Sequence, residues 1–141
     1  MARILIAVDG SPPSLRALEF GASLAAKLRA EVLLLHAIPQ VMLPLGGEGP
    51  GAVSELQHSL RDEGTQLLES LADRARSHGV AVETELGVGD PEIAIYDRSA
   101  APDIELVVMG SRGHGAMGRL LLGSVAAKVV HSATRPVVVV R

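Results

Sequence analysis

The residues best suited to chemistry lie in one stretch, 107–130, which contains five glycines at positions 110, 113, 115, 118 and 123. A connection needs far fewer glycines than this to turn. Their number therefore predicts that something approaches the main chain closely, where a Cβ atom would be in the way. The stretch joins an apolar run to a helical pattern, and the amino terminus of a helix carries unpaired N–H groups and about half a unit of positive charge. We therefore expect this connection to bind phosphate.

Three phosphate-binding motifs can be compared with this stretch. The dinucleotide fingerprint G-x-G-x-x-G fits residues 113–118, but it requires an acidic residue about 20 positions further on, where this sequence reads VVVV. The P-loop motif G-x-x-x-x-G-K-[ST] is met only in part, because its lysine is missing. The pattern G-x2-G-x9-G-[ST] is matched throughout, by Gly110, Gly113, Gly123 and Ser124.

A second residue with chemical potential is Asp9, which directly follows the apolar run 3–8 and precedes Gly10 and Ser11. In open parallel sheets, ligands bind beyond the carboxyl ends of the strands. A carboxylate in that place can contact a ligand. It can also do no more than cap the turn that Gly10 and Ser11 form. Both interpretations stay open from the sequence.

Composition excludes several classes of protein. The 141 residues are 48% apolar and 21% charged, which is typical of a globular chain and fits one domain over 1–141. A net charge of −3 with one Phe, one Tyr and no Trp argues against nucleic acid as a partner. The absence of cysteine excludes disulfides and thiolate chemistry. No apolar run nears the roughly 20 residues of a membrane span, so we expect a cytoplasmic protein that does not enter membranes.

Strand and helix patterns alternate along the chain. Apolar or alternating runs predict strands, at 3–8, 31–38, 80–86, 104–110 and 136–141. Helical spacing predicts helices that begin at Ser11-Pro12, at a capping box formed by Ser54 and Gln57, at Asp90-Pro91 and at residue 124. Residues 39–53 predict a long surface loop. Such alternation is typical of an α/β fold, in which helices cover both faces of a parallel sheet.

Several of these segments resemble the universal stress protein family, in particular its ATP-binding subgroup. The resemblance rests on the glycine pattern and on the segments ILIAVDGS, VLLLHAI, GDPEIAI, LVVMGSRGHG and RPVVVV, and it covers essentially the whole chain. It implies a Rossmann-like sheet of five parallel strands in the order 3-2-1-4-5. The first and fourth strands would then lie side by side, with Asp9 facing Gly110 across the point where the strand order reverses.

The resemblance also implies a site for ATP with Mg²⁺. The phosphates would lie against the main chain of Gly110, Ser111, Arg112 and Gly113 on one side and of Gly123, Ser124 and Val125 on the other. Asp9 would approach the ribose and the metal. Adenine would lie between the ends of the first two strands, near Ala7, Val8, Ala37 and Ile38, with Met109 beside it and only the main chain of His36 involved.

The function that the resemblance implies is a stress-response protein that senses adenine nucleotide or switches with it. Two alternatives stay open: a slow ATPase, and an interaction module that binds no nucleotide. No second carboxylate accompanies Asp9 and no base is placed to activate water, so we do not predict an enzyme. The resemblance further implies a homodimer that pairs through strand 136–141.

Overall fold

Strands and helices alternate along the protein in a computed structural model, which describes residues 2–42, 49–112 and 122–141. The elements are β1 (Arg3–Ala7), α1 (Pro12–Leu28), β2 (Glu31–Ile38), α2 (Pro50–Arg76), β3 (Val82–Val88), α3 (Pro91–Ser99), β4 (Ile104–Gly110), α4 (Ser124–Ser132) and β5 (Val137–Val140). The predicted α/β class is confirmed. None of the helices in these ranges is long and apolar enough to cross a bilayer.

The five strands form one parallel sheet in the order β3-β2-β1-β4-β5, which confirms the order that the family resemblance implied. β1 is the central strand, with β2 on one side and β4 on the other. The chain reverses its direction across the sheet at this point, so the crossovers after β1 and β4 diverge to opposite faces. Divergence of this kind opens a crevice at the carboxyl ends of the strands.

Two apolar clusters hold the helices against the two faces of the sheet. Alternate β1 residues supply each cluster, because successive side chains in a strand point to opposite faces. Ile4, Ile6 and Val8 pack with α1 and α2, whereas Leu5 packs with α3 and α4. Since Leu5 and Ile6 are both fully buried, β1 is covered on both sides and is held rigidly under the crevice.

α2 begins earlier than the sequence predicted. Its first residue is Pro50, whose fixed φ suits the first helical position, and Gly49 precedes it as the N-cap. The predicted capping box of Ser54 and Gln57 is therefore wrong. The Gln57 side chain instead accepts the N–H of Val41 at 2.7 Å and donates to the carbonyl of Pro39 at 3.1 Å. The Gln57 side chain thus links the residues that follow β2 to α2.

Two other boundaries differ from the sequence prediction. β3 runs from Val82 to Val88 rather than over 80–86, because its ladder with β2 continues until Val88 pairs with Ile38. The helical pattern that begins at residue 124 extends to residue 134, but α4 ends at Ser132. The Arg135 guanidinium donates to the carbonyls of Ser99 and Ala101 at the end of α3. Arg135 therefore stabilises the end of α3.

An ion-pair network joins the opposite, amino-terminal end of the sheet. Its cations are Arg3 and Arg98, which contact the carboxylates of Glu31, Glu83, Glu85 and Asp103 at 3.0–3.4 Å. Hydrogen bonds from Arg98 lower the pKa of the Asp103 carboxyl, and Glu31 raises the pKa of Arg3. Both shifts favour the charged forms. The network therefore holds the strand starts in place on the side of the sheet away from the crevice.

Candidate functional site

A cleft lies at the carboxyl ends of the three central strands and contains about 500 Å³ of space, its open mouth included. Its floor consists of Ala7 from β1, Ala37 from β2 and Met109 from β4. Side chains from the two helices on that face form its wall, namely Pro91, Ile95, Val125 and Ala126. These side chains are all apolar and form a slot of the kind that usually binds small molecules.

The polar part of the cleft begins at Asp9. Asp9 lines the cleft and also belongs to a ring of three hydrogen bonds with Ser11 and Ser14. The Asp9 N–H donates to Ser14 Oγ at 2.9 Å, the Ser11 N–H donates to Asp9 Oδ1 at 2.9 Å, and the Ser14 N–H donates to Ser11 Oγ at 3.4 Å. Asp9 therefore caps the turn and faces the cleft, so the two interpretations of this residue are compatible.

Gly110, at the end of β4, is required by packing. A Cβ atom at this position would lie 2.8 Å from the carbonyl carbon of Pro13 and 2.9 Å from the nitrogen of Ser14. The end of β4 thus contacts the main chain at the start of α1. Sequence reasoning assigned this glycine to close approach by a ligand and missed the helix that lies against it.

The two described ends of the glycine-rich connection are held together. The Gly123 N–H donates to the Ser111 carbonyl at 2.7 Å, and the Ser111 N–H donates to the carbonyl of Val140 at 2.7 Å. A Cβ on Gly123 would lie 3.2 Å from the Cα of Arg112, so these backbones are in close contact. Gly113, which completes the predicted phosphate motif, lies outside the described residues.

Three helices begin beside the cleft. α3 begins there at Pro91, which has no N–H, and the amino termini of α1 and α4 differ in the donors that they offer. At α1, Pro12 and Pro13 have no N–H, and the N–H of Ser14 is bonded to Ser11 Oγ. At α4, the N-cap Gly123 brings no side chain. Within the described residues no hydrogen bond is made by the N–H of Ser124 or Val125. Among the described residues, the start of α4 therefore offers an anion backbone donors that the start of α1 does not.

The main chain of Ala37 forms the polar edge of the apolar slot. The Val8 N–H donates to the carbonyl of Leu35 at 2.9 Å, so Leu35 and, two residues on, Ala37 point their backbone groups toward β1. β1 ends at Ala7, and no strand lies opposite Ala37 on that side. Across the described parts of the chain, neither the N–H nor the C=O of Ala37 has a hydrogen-bond partner on that side. One donor and one acceptor thus face the cleft together.

The side chain of His36 also takes part in the site, which sequence reasoning did not predict. His36 is among the residues that line the cleft, and its Nδ1 lies 2.8 Å from the carbonyl oxygen of Val8, whereas the Cδ2 of its ring lies toward Gly64 of α2. The sequence suggested packing for this side chain and assigned only its main chain to the site. No local pattern could have shown the bond, because it depends on where β1 ends relative to β2.

The residues predicted for the site divide into two groups. Those that line the cleft are Ala7, Val8, Asp9, Ala37, Met109, Gly110, Arg112 and Val125. Ser111, Gly123 and Ser124 lie beside it, at the two ends of the glycine-rich connection. Ile38 lies elsewhere: it is buried on the other face of the sheet, where it packs close to Gly64 of α2. Pro91, Ile95 and Ser14 line the cleft without having been predicted.

The sequence held a partial signal for these missed residues. Ser14 stands three residues after the N-cap Ser11, which is the position whose N–H a capping side chain bonds. Pro91 and Ile95 lie on α3, and their place beside the cleft follows only when the strand order and the face covered by α3 are known.

A metal ion would need ligands beyond the protein at this site. In the described part of the chain there is no group of three or more His, Asp or Glu side chains that could hold a metal ion. Asp9 by itself fits Mg²⁺ only as one of several oxygen ligands. Mg²⁺ commonly binds in this way, through one or two carboxylates together with substrate phosphates and water.

Comparison with known proteins agrees with this geometry. The sequence profile of the universal stress protein family matches residues 1–141. The chain belongs to this family, as its resemblance predicted.

Two curated relatives and one solved structure illustrate the similarity. The chain is 35% identical to universal stress protein MJ0531 of Methanocaldococcus jannaschii, over 99% of this chain and 81% of the relative. It is 30% identical to universal stress protein YxiE of Bacillus subtilis, over 99% and 98% of the two chains. A solved universal stress protein family protein from Arabidopsis thaliana, with AMP bound, is 25% identical over 99% of this chain and 91% of its own, with a TM-score of 0.70.

The contact between β4 and α1 predicts the effect of a single methyl group. Gly110→Ala should destabilise the protein by about 1–3 kcal/mol, because the added Cβ meets main-chain atoms that cannot rotate away. Urea denaturation monitored by circular dichroism measures this difference.

Gly51→Ala is the matched control. A Cβ at Gly51 has nothing within 4 Å, and alanine favours the helix in which this residue lies. The control should be as stable as the wild type or slightly more so. Equal stability of Gly110→Ala and wild type would contradict the packing explanation.

Proposed function

We propose that the protein binds an adenine nucleotide in this cleft and serves as a stress-response sensor or switch that depends on the bound nucleotide. The observation that carries the proposal concerns the N–H and C=O of Ala37 at the edge of an apolar slot, which have no partner on the side of β1 among the described residues. Membership of the universal stress protein family and the AMP-bound Arabidopsis protein support it.

Adenine fits the slot by shape and by hydrogen bonding. The flat base would lie on the small side chains of Ala7 and Ala37, with Met109 and Ile95 beside it. Its Watson–Crick edge offers the ring nitrogen as an acceptor and the exocyclic amino group as a donor. These groups complement the N–H and C=O of Ala37. Guanine presents a ring N–H and a carbonyl on the same edge, so it would oppose donor with donor.

The phosphates would extend toward the start of α4. The N–H groups of Ser124 and Val125 have no partner there among the described residues, and the positive end of the helix favours an anion. Arg112 lines the cleft nearby and brings a guanidinium group suited to phosphate oxygens. Gly110, Ser111 and Gly113 belong to the same predicted phosphate motif, although Gly113 is not among the described residues.

ATP with Mg²⁺ is the form of nucleotide that we propose. Asp9 would supply one carboxylate to the ion, and the phosphates and water would supply the other oxygens. The ribose would lie over the carboxyl end of β1, next to Asp9. A ligand in this position contacts β1, β2 and α4 at once, so its binding would favour one arrangement of the ends of these elements. That coupling is the physical basis of the proposed switch.

A larger side chain in the slot tests whether the nucleotide binds there. Ala7→Leu should weaken AMP binding at least about tenfold, because the larger side chain occupies the volume of the base. The thermal midpoint should be kept, since the added atoms enter an apolar space. Isothermal titration calorimetry with AMP and ATP gives the affinities.

Ala127→Leu is the matched control, because Ala127 is exposed on α4 and does not line the cleft. It should bind AMP as the wild type does. A wild type that shows no saturable heat at millimolar AMP or ATP would refute the proposed function, and unchanged affinity in Ala7→Leu would refute its location.

The metal role is tested by an isosteric change at Asp9. Asn keeps the Oδ1 acceptor for the Ser11 N–H, so the turn persists while the charge is lost. We expect Mg²⁺ to strengthen ATP binding to the wild type about tenfold and to have little effect on Asp9→Asn. Titrations with and without Mg²⁺ measure this. Asp73→Asn, which removes an exposed carboxylate of α2, is the control, and an unchanged Mg²⁺ effect in Asp9→Asn would exclude Asp9 as a ligand.

A homodimer through β5 is the assembly that we propose. β5 is an edge strand that pairs only with β4 in the sheet, and all four of its valines stay partly exposed. An uncovered apolar edge favours association, and a second copy of the same strand is its simplest cover. Sedimentation equilibrium at micromolar concentration should give twice the monomer mass, and a monomer there would contradict the proposal.

A further inference from the structure

The hydrogen-bond ladder between β1 and β2 ends one bond short of what the length of β2 allows. Val8 lies opposite His36, and its N–H donates to the carbonyl of Leu35. In a continuing parallel ladder, the carbonyl of Val8 would next accept the N–H of Ala37, since a residue bonds to the neighbours on either side of its opposite partner. That bond is not formed among the described residues.

The imidazole ring of His36 contacts the same carbonyl that this missing bond would use. Its Nδ1 lies 2.8 Å from the Val8 carbonyl oxygen. A carbonyl oxygen only accepts hydrogen bonds, so Nδ1 must carry the hydrogen. In the neutral ring, Nε2 is then the unprotonated nitrogen. The His36 side chain thus donates to the carbonyl of Val8, and the N–H of Ala37 remains without a partner among the described residues.

We propose that His36 is a positioning residue that keeps the two strand ends apart, so that the N–H of Ala37 stays available to a ligand. Packing supports the ring in this place. Its Cδ2 would lie 3.5 Å from a Cβ at Gly64, so α2 approaches the ring closely because position 64 carries no side chain. His36 acts through Val8 and Ala37 and need not touch the base itself.

The inference deepens the proposed function and rests on it for its ligand, the base of an adenine nucleotide. If His36 is replaced by a residue that cannot donate to Val8, the carbonyl of Val8 becomes an unpaired polar group next to an unpaired N–H. The two would pair, because buried backbone groups rarely remain without partners. The ladder would then extend by one bond and remove the donor that faces the slot.

Two measurements on the wild-type protein test the geometry without any ligand. The ¹⁵N spectrum of the neutral His36 ring should show hydrogen on Nδ1 and none on Nε2. The amide of Ala37 should exchange with solvent much faster than the amide of Leu35, which lies inside the ladder. Hydrogen on Nε2 alone, or equal protection of the two amides, would overturn the inference.

Two variants then test the positioning role. His36→Leu cannot donate, and its Ala37 amide should become protected. His36→Asn places an N–H near the position of Nδ1 and should keep the fast exchange of the wild type. AMP affinity should fall about tenfold in His36→Leu, the usual effect of one lost hydrogen bond, and should stay within about threefold of wild type in His36→Asn.

The outcomes separate this inference from the proposed function. If the wild type binds no adenine nucleotide, the function fails, while the tautomer and the exchange rates still test the geometry. If the wild type binds AMP and both variants bind it equally well, the positioning role of His36 is refuted. If His36→Leu does not fold, the tautomer, the Ala37 amide and the comparison of wild type with His36→Asn decide.

Discussion

The separation of β1 from β2 at Val8 is the feature on which the site depends. β1 ends at Ala7 while β2 continues to Ile38, so the main chain of Ala37 projects beyond its neighbour. Backbone N–H and C=O groups need hydrogen-bond partners. The N–H and C=O of Ala37, which have none on this side among the described residues, are satisfied best by a ligand with a complementary polar edge. The turn at Gly10, with φ at +82°, carries the chain away at once and keeps that edge uncovered.

A second constraint determines which helix can receive an anion. Gly110 allows the end of β4 to pack against the first turn of α1, so the two crossovers begin very close together. The start of α1 is closed by two prolines and by Ser11, whereas the start of α4 has no capping side chain. In the proposed complex, the base would therefore lie at the edge of β2 and the phosphates at the start of α4.

The sequence predicted the fold better than the details of the site. Buried runs and glycine-rich turns were enough for the class, and the family resemblance supplied the strand order. Floor residues such as Ala7 and Met109 were implied by the family resemblance, and they lie at or next to the ends of β1 and β4. Ile38 is not among the residues that line the cleft, because its side chain points to the face of the sheet that α2 covers. The contacts of His36 and Gln57 depend on distant strand ends, for which no local pattern exists.

The most direct test of the central claim is the amide resonance of Ala37 during titration with AMP and with GMP. If the unpaired edge of β2 reads adenine, the Ala37 proton should move downfield and saturate with AMP, as a new hydrogen bond requires, and GMP should leave it nearly unchanged. AMP binding that shifts resonances of α4 while the Ala37 amide stays in place would contradict the account.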